Sequence, residues 1–200
     1  MVWNKELKRE IPKGWTVKNL LEIAEWIGGS QPPKSTFKYQ ETKGYIRFIQ
    51  NRDYADSNHL TYIPESKSNK VCDRFDIMMD KYGDAGRTRF GLAGAYNVAL
   101  AKIKPKENNV QELMRGFLSA KSTYSYLYNA CMASTRASLN EEILGNLYVA
   151  IPSKYILEEY EKFGKDLLRQ RMVINDESKK LVELRDFLLP MLMNGQVSVN

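Results

Sequence analysis

A heptad repeat of apolar residues near the C-terminus constrains this chain more than any other feature of its sequence. Its a and d positions are apolar at both ends and polar in the middle, at Gln170 and Glu177. This pattern predicts one long coiled-coil helix, in which the polar pair fixes the register. The seam has ten positions: Tyr160, Phe163, Leu167, Gln170, Ile174, Glu177, Leu181, Leu184, Leu188 and Met191.

The seam needs a partner helix. At ~1.5 Å per residue the segment forms a rod of roughly 50 Å, which the rest of a short chain cannot cover. The sequence contains neither a second comparable heptad nor an internal repeat with a period near 100 residues. The simplest partner is therefore a second copy in a two-fold homodimer. We expect antiparallel helices, which place identical domains at opposite ends of the rod. A helix that lies on its own domain stays open as an alternative.

Length and composition set the outer bounds. The chain has 200 residues, of which 43% are hydrophobic and 27% charged. We expect one globular domain over residues 1–152 and the helix over residues 153–200. The sequence contains no apolar run of 18 residues and no apolar segment typical of a secretory signal, so we expect a cytoplasmic protein that does not contact the membrane.

The charge is unevenly distributed. The chain carries a formal net charge of +6, and residues 153–200 contain equal numbers of cations and anions. The whole basic excess therefore belongs to the predicted globular domain. An excess of this size suits a polyanionic partner such as nucleic acid, although surface lysines also serve solubility.

The globular domain is predicted to be mixed α+β with short strands. Thr16 is expected to cap the first helix. The predicted helices cover residues 17–27 and 109–128, and the predicted strands cover residues 45–50, 75–79, 96–103 and 147–152. A loop over residues 81–89 combines two glycines with three cations.

The sequence offers little for catalysis or metal binding. Cys72, Cys131 and His59 are too few and too far apart for a structural zinc site. Residues 31–34, Gln-Pro-Pro-Lys, lack the leading Asn or Asp and the aromatic residue of an adenine methyltransferase loop. The sequence has no GxxxxGK[ST] motif for ATP. Strand alternation and turns account for a run of four acidic residues: Asp73, Asp76, Asp80 and Asp84.

Several short motifs follow one another in a fixed order along nearly the whole chain. The motifs are Ile-Pro-Lys-Gly-Trp at residues 11–15, the strand at residues 45–50 followed by Asp53, Asp-Ile-Met at residues 76–78 with Gly83 and Gly86, the segment from Ser134 to Pro152, and Leu184 to Gly195. In this order, and joined to the heptad helix, they resemble the specificity subunits of type I restriction–modification enzymes.

The resemblance implies a target recognition domain followed by a conserved spacer helix. Full-length members of that family carry two of each, whereas this sequence carries one of each. It is therefore similar to a half-size subunit, or to half of a longer one. A dimer of such chains would rebuild the two-fold plan of the family.

A role in reading DNA needs cations for phosphates, planar polar groups for base edges and a scaffold that holds their loops. Loop residues supply these groups, although an ordinary solvated loop is an alternative for each, and Arg52 can simply pair with Asp53. The candidates for DNA binding are Ser30, Gln31, Gln50, Asn51, Arg52, Lys81, Tyr82, Arg87, Arg89, Ser134, Thr135 and Arg136.

The sequence therefore predicts a non-catalytic subunit that recognises double-stranded DNA and itself binds no cofactor. The resemblance implies that methyltransferase subunits, which bind S-adenosylmethionine, and a restriction subunit, which uses ATP, assemble on it. Two alternatives remain open: a coiled-coil module that binds protein or peptide, and a small methyltransferase.

Overall fold

The computed structural model describes residues 1–56, 59–107, 109–133 and 138–196. The chain divides into two compact units, Met1–Glu161 and Lys162–Asn200. The first unit mixes strands and helices, and the second contains most of one long helix. The prediction of a mixed α+β fold followed by a long C-terminal helix is confirmed. The domain boundary after residue 152 stays a prediction.

The elements follow one another along the chain as short strands, then helices, then the long helix. The first part contains β1 (Val2–Asn4), β2 (Arg9–Ile11), β3 (Thr16–Asn19), α1 (Leu20–Ile23), β4 (Ala24–Gly28), β5 (Tyr45–Ile49), β6 (Tyr62–Pro64), β7 (Val71–Cys72) and β8 (Ile77–Asp80). The second part contains β9 (Thr88–Arg89), β10 (Gly94–Tyr96), β11 (Leu100–Pro105), α2 (Gln111–Ser119), α3 (Lys121–Met132), α4 (Glu141–Leu144), β12 (Tyr148–Ile151) and α5 (Lys154–Met193).

Two four-stranded sheets form the frame of the first unit. One has the order β6-β5-β10-β7, with β5 and β10 parallel, and the other has the order β4-β11-β8-β9. Strand β11 pairs antiparallel with both β4 and β8. A separate pair joins β12 to β3, with Ile151 opposite Thr16. The last strand before the long helix therefore lies beside one of the first strands of the unit.

Strand β8 is buried on both faces. Ile77 and Met79 pack in the larger core with α2 and α3, whereas Met78 packs with the core around Tyr96 and Leu100. Side chains alternate along a strand, so one strand contributes to both cores. This explains why β8 is a continuous apolar run rather than an alternating one.

The prediction of a helix over residues 17–27 is wrong. Only one turn, α1, is helical, and Thr16 does not cap it, because Thr16 begins strand β3. The N-cap is Asn19, whose side chain accepts a hydrogen bond from Leu21 N at 2.9 Å. The flanking residues are strands because Val17 pairs with Ala150, and Ile27 pairs with Lys102. Strand pairing has here overridden a pattern that looks helical along the sequence.

Two further elements are divided where the sequence predicts continuity. Residues 109–128 form two helices, α2 and α3, because Ala120 adopts an extended conformation between them. Residues 96–103 form two strands, and the Asn97 side chain stabilises the turn by accepting from Ala99 N at 3.1 Å. The predicted strands at residues 45–50, 75–79 and 147–152 are confirmed to within three residues at each end.

Candidate nucleic-acid interface

The first predicted contact segment, Ser30 and Gln31, lies against the tight turn that joins β10 to β11. Ser30 N donates to Tyr96 O at 3.1 Å. Gly29 permits this approach, because a Cβ atom there would lie 1.9 Å from the carbonyl oxygen of Asn97. Any other residue at this position would displace the segment from the turn, and Gln31 would lose its place at this edge.

Two more predicted segments, residues 50–52 and 81–82, reach the same turn. All three segments are far apart in the sequence, and the turn over residues 97–99 brings them to one edge of the first unit. Asn97 N donates at 3.0 Å to the carbonyl oxygen of Ile49, the residue just before the 50–52 segment, and Lys81 N donates to Ala99 O at 2.8 Å. Asn51 Nδ2 donates to Tyr82 O at 3.3 Å and so joins these two segments to each other. We call this region the reading edge, defined by residues 29–31, 50–52, 81–82 and 97–99.

The side chains of Gln50 and Arg52 differ in their contacts with the rest of the fold. Gln50 donates its amide to Thr61 Oγ1 at 3.3 Å, and its backbone N–H donates to Asp53 Oδ2 at 3.1 Å. Burial raises the pKa of Asp53, and the hydrogen bond that its carboxylate accepts from the Gln50 backbone N–H partly opposes that rise. Arg52 lies 3.9 Å from the same carboxylate and keeps 54% of its side chain exposed. Arg52 is therefore presented to solvent, whereas Gln50 is tied to the fold.

Lys81 and Tyr82 form the third part of the reading edge. The Lys81 ammonium lies 5.8 Å from the centroid of the Tyr82 ring, and Tyr82 is exposed. A cation beside an exposed aromatic ring can contact a phosphate while the ring stacks or donates its hydroxyl.

The two arginines of the 81–89 loop have different environments. Arg89 donates to Asp80 Oδ2 through Nε at 3.1 Å and through Nη2 at 2.8 Å, and the Asp80 side chain is 1% exposed. Burial raises the pKa of Asp80, and the hydrogen bond from Arg89 partly lowers it. Arg87 pairs at 2.9 Å with Asp84, and both side chains are exposed. Arg89 therefore supports the loop from inside, and Arg87 faces solvent.

The remaining candidates, Ser134, Thr135 and Arg136, lie outside the described residues. The nearest described contact on their C-terminal side is a hydrogen bond from Leu139 N to Lys81 O at 2.9 Å. This bond attaches the chain after α3 to the reading edge.

One feature is missing from the sequence prediction. A groove of about 380 Å³ is lined by Arg87, Thr88, Leu118, Ser119, Lys121 and Tyr124. It opens beside the break between α2 and α3, where the sequence predicts one continuous helix. The only trace of it in the sequence is Ala120 between Ser119 and Lys121, which by itself does not indicate a break.

The acidic run between Asp73 and Asp84 is distributed among separate contacts. Asp76 lies 3.1 Å from the Lys102 ammonium, whereas Asp80 and Asp84 pair with the loop arginines. Across the described ranges, no group of three or more His, Cys, Asp or Glu residues is arranged to hold a metal ion. Among those same residues, no helix is both long and apolar enough to cross a membrane.

Comparison with known proteins shows which sequences and which folds this chain is similar to. The chain is similar to the HindI type I restriction enzyme specificity subunit of Haemophilus influenzae, with 24% identity over 94% of this chain and 42% of that protein. Its fold is similar to the crystal structure of the HsdS subunit from Thermoanaerobacter tengcongensis, with a TM-score of 0.60 and 18% identity over 94% of this chain and 47% of that one. It is also similar to a chain from a structure that addresses complex assembly and conformational transition of the type I restriction–modification system, with a TM-score of 0.60 and 18% identity over 88% and 44% of the two chains.

The chain spans less than half the length of each of these proteins. A family model described as the type I restriction modification DNA specificity domain matches residues 12–182. The matched range contains the whole reading edge, the groove and more than half of α5. Because the match covers most of the chain, this chain belongs to the family of type I restriction–modification DNA specificity domains.

Proposed function

We propose that this chain recognises a specific sequence in double-stranded DNA as the specificity component of a type I restriction–modification complex. The observation that carries the proposal is the convergence of three predicted contact segments on one turn, which forms the reading edge. Convergence of this kind is needed because a DNA half-site is contacted by side chains from several loops at once.

The reading edge offers the chemistry that base recognition needs. Gln31, Arg52 and Tyr82 are exposed there, and Asn51 lies beside them. In the major groove, an arginine pairs with guanine and an amide with adenine, each through two hydrogen bonds. We assign base reading to this edge, with Ser134, Thr135 and Arg136 as further proposed contacts. Gln50 and Arg89 support the edge through their internal bonds.

We further propose that α5 pairs with a second copy of itself in an antiparallel coiled coil. Six of the eight apolar seam residues are exposed in the isolated chain, among them Phe163 by 63%, Ile174 by 60% and Leu181 by 66%. Burying one such side chain contributes about 1.5–3 kcal/mol, so a seam of eight apolar positions favours association. Since the relatives are about twice as long, a second spacer helix in the same polypeptide could take the same place.

In such a complex, DNA recognition, methylation and cleavage would be carried out by different subunits. The methyltransferase subunits would supply S-adenosylmethionine chemistry, the restriction subunit would supply ATP-dependent cleavage, and this chain would provide neither a cofactor nor a catalytic group. Both kinds of subunit would dock on the assembled specificity component in the cytoplasm. Membership of the family supports this division.

The test is enrichment of random duplex DNA by the full chain bound to its cognate methyltransferase subunits. A dimer with two equal reading edges should select an interrupted palindrome. Its half-sites should lie one to two helical turns apart, each turn being ~34–36 Å. A single undivided site would contradict the dimer. A failure to enrich any sequence would contradict DNA recognition and favour the coiled-coil module that binds protein.

A further inference from the structure

The groove beside α3 brings together cationic and hydroxyl side chains from a hairpin and two helices. Arg87 and Thr88 come from the β8–β9 hairpin, whereas Ser119 and Lys121 come from the end of α2 and the start of α3. The hydroxyl oxygen of Thr88 is buried and makes no hydrogen bond within the described residues. A hydroxyl in this position can donate to an anion that enters the groove.

The start of α3 adds to this arrangement. Ala120 occupies the N-cap position, and its methyl group cannot accept hydrogen bonds from the first N–H groups of the helix. Such N–H groups need another acceptor and carry a partial positive charge. Lys121 is the first residue of α3 and lines the groove. The Lys121 ammonium and the N–H groups at the start of α3 therefore lie on the same side of the groove.

We propose that this groove holds a phosphate of the DNA backbone, at a site distinct from the reading edge. The inference rests on the proposed function and extends it. Two cations and three hydroxyl side chains around a concave surface suit a tetrahedral anion, whereas reading a base edge in the major groove requires a side chain that projects from the surface.

The position of the groove suits a phosphate of the same half-site. The hairpin loop that carries Tyr82 at the reading edge carries Arg87 in the groove, so the two residues are at most about 17 Å apart along the chain. Asp80 N donates to Arg87 O at 3.0 Å, so the hairpin keeps Tyr82 and Arg87 closer than this limit, well within the ~17 Å that five base pairs of duplex span. Gly86 fixes the loop against α3, because a Cβ atom there would lie 2.6 Å from the Cβ of Leu127.

Asp84 competes for Arg87 but does not block the site. Its carboxylate lies 2.9 Å from Arg87 Nη1, and both side chains are about half exposed. An exposed pair of this kind contributes little stability, so a phosphate that also contacts Lys121 can replace it. In the absence of DNA, the contact with Asp84 holds the Arg87 guanidinium beside the groove.

The experiment measures DNA affinity against salt concentration for the complete complex with its methyltransferase subunits. Arg87→Ala and Lys121→Ala should each weaken binding to all sequences alike. Each should also make the slope of log affinity against log salt shallower by about 1 for every phosphate that the variant no longer neutralises, or about 2 in a symmetric dimer. Preference among bases should not change.

The matched control is Lys104→Ala. Lys104 is an exposed cation on β11. The strand begins beside the reading edge at Leu100, and Lys104 lies four residues further on, near the other end of the strand. Its loss should leave both the slope and the affinity unchanged. Equal melting temperatures for the three variants and the unmodified chain would show that the fold is intact.

Three outcomes separate this inference from the proposed function. If the unmodified complex fails to bind DNA, the proposed function is wrong and the phosphate site is wrong with it. If the complex binds but neither variant changes the slope, only the phosphate site is wrong. If Arg87→Ala relaxes preference at one base position, Arg87 reads a base and the phosphate assignment is likewise wrong.

Discussion

Two arginines separated by one residue have opposite surroundings, and these surroundings decide what each side chain can do. The pairing of β8 with β9 places Arg89 opposite Met78, so that its guanidinium reaches the buried Asp80 on the same strand as Met78. Arg87 lies just before β9 and reaches only the exposed Asp84. The sequence groups both as loop cations, because the partner of each depends on the register of the hairpin.

Arg89→Ala should lower the free energy of unfolding by about 3 kcal/mol at neutral pH, because Asp80 would remain buried without its charge partner. Burial already raises the pKa of Asp80, and the loss of Arg89 would raise it further. When a carboxyl group has a raised pKa in the folded state, the protein loses stability as the pH rises from the ordinary pKa of 3.8 through the raised one. The stability difference between Arg89→Ala and the unmodified chain, measured by urea unfolding, should therefore be smaller at pH 4.5 than at pH 7.

Arg87→Ala is the matched control for this prediction. Its pair with Asp84 is exposed, so its loss should change stability by less than about 1 kcal/mol at either pH. Equal losses in the two variants would contradict the internal role of Arg89.

At the scale of the element, α2 depends on a residue far along the chain. Val110 occupies its N-cap, and an apolar side chain there cannot accept from the first N–H groups. Glu161 in α5 supplies the acceptor instead. Its Oε1 atom accepts from Glu112 N at 2.8 Å and from Leu113 N at 2.9 Å, and Glu161 is 4% exposed. The first two turns of the long helix are thereby bonded into the first unit.

Glu161→Ala should destabilise the first unit by about 2 kcal/mol, because it leaves two buried N–H groups without an acceptor. Glu161→Gln keeps an acceptor oxygen but loses the charge, so its effect should be smaller. The matched control is Glu158→Ala, whose exposed side chain lies 3.8 Å from Lys154. Urea unfolding of the full chain checks the order of the three variants. A loss in the control as large as in Glu161→Ala would contradict the capping role.

The elements also show where prediction from this sequence succeeds and where it fails. The strand at Tyr45–Ile49 and the helix α5 were predictable because their periodicity is local. The fold of residues 17–27 was not, since distant strands determine it. The reading edge could be predicted as a set of polar loops, but its assembly around residues 97–99 depends on tertiary hydrogen bonds. The groove was not predictable because it depends on the break at Ala120.

At the scale of the whole molecule, the proposed dimer depends on the seam of α5. Leu167→Asp combined with Leu181→Asp should give a monomer, because two charges per helix would be buried in the seam. The matched control is Val182→Asp, which alters an exposed apolar residue next to Leu181 but outside the seam. It should remain a dimer. Light scattering after size-exclusion chromatography distinguishes these states. A monomeric unmodified chain at micromolar concentration would contradict the dimer.

The pairing of β3 with β12 has a consequence for how the family can vary. Thr16 lies opposite Ile151, so everything between these strands begins and ends at one place, about 5 Å apart. The bonds that close this interval join backbone atoms and therefore tolerate most changes of side chain. We therefore expect that an interval of different sequence can replace this one and leave the start of α5 in place, provided that it also offers backbone N–H groups to Glu161.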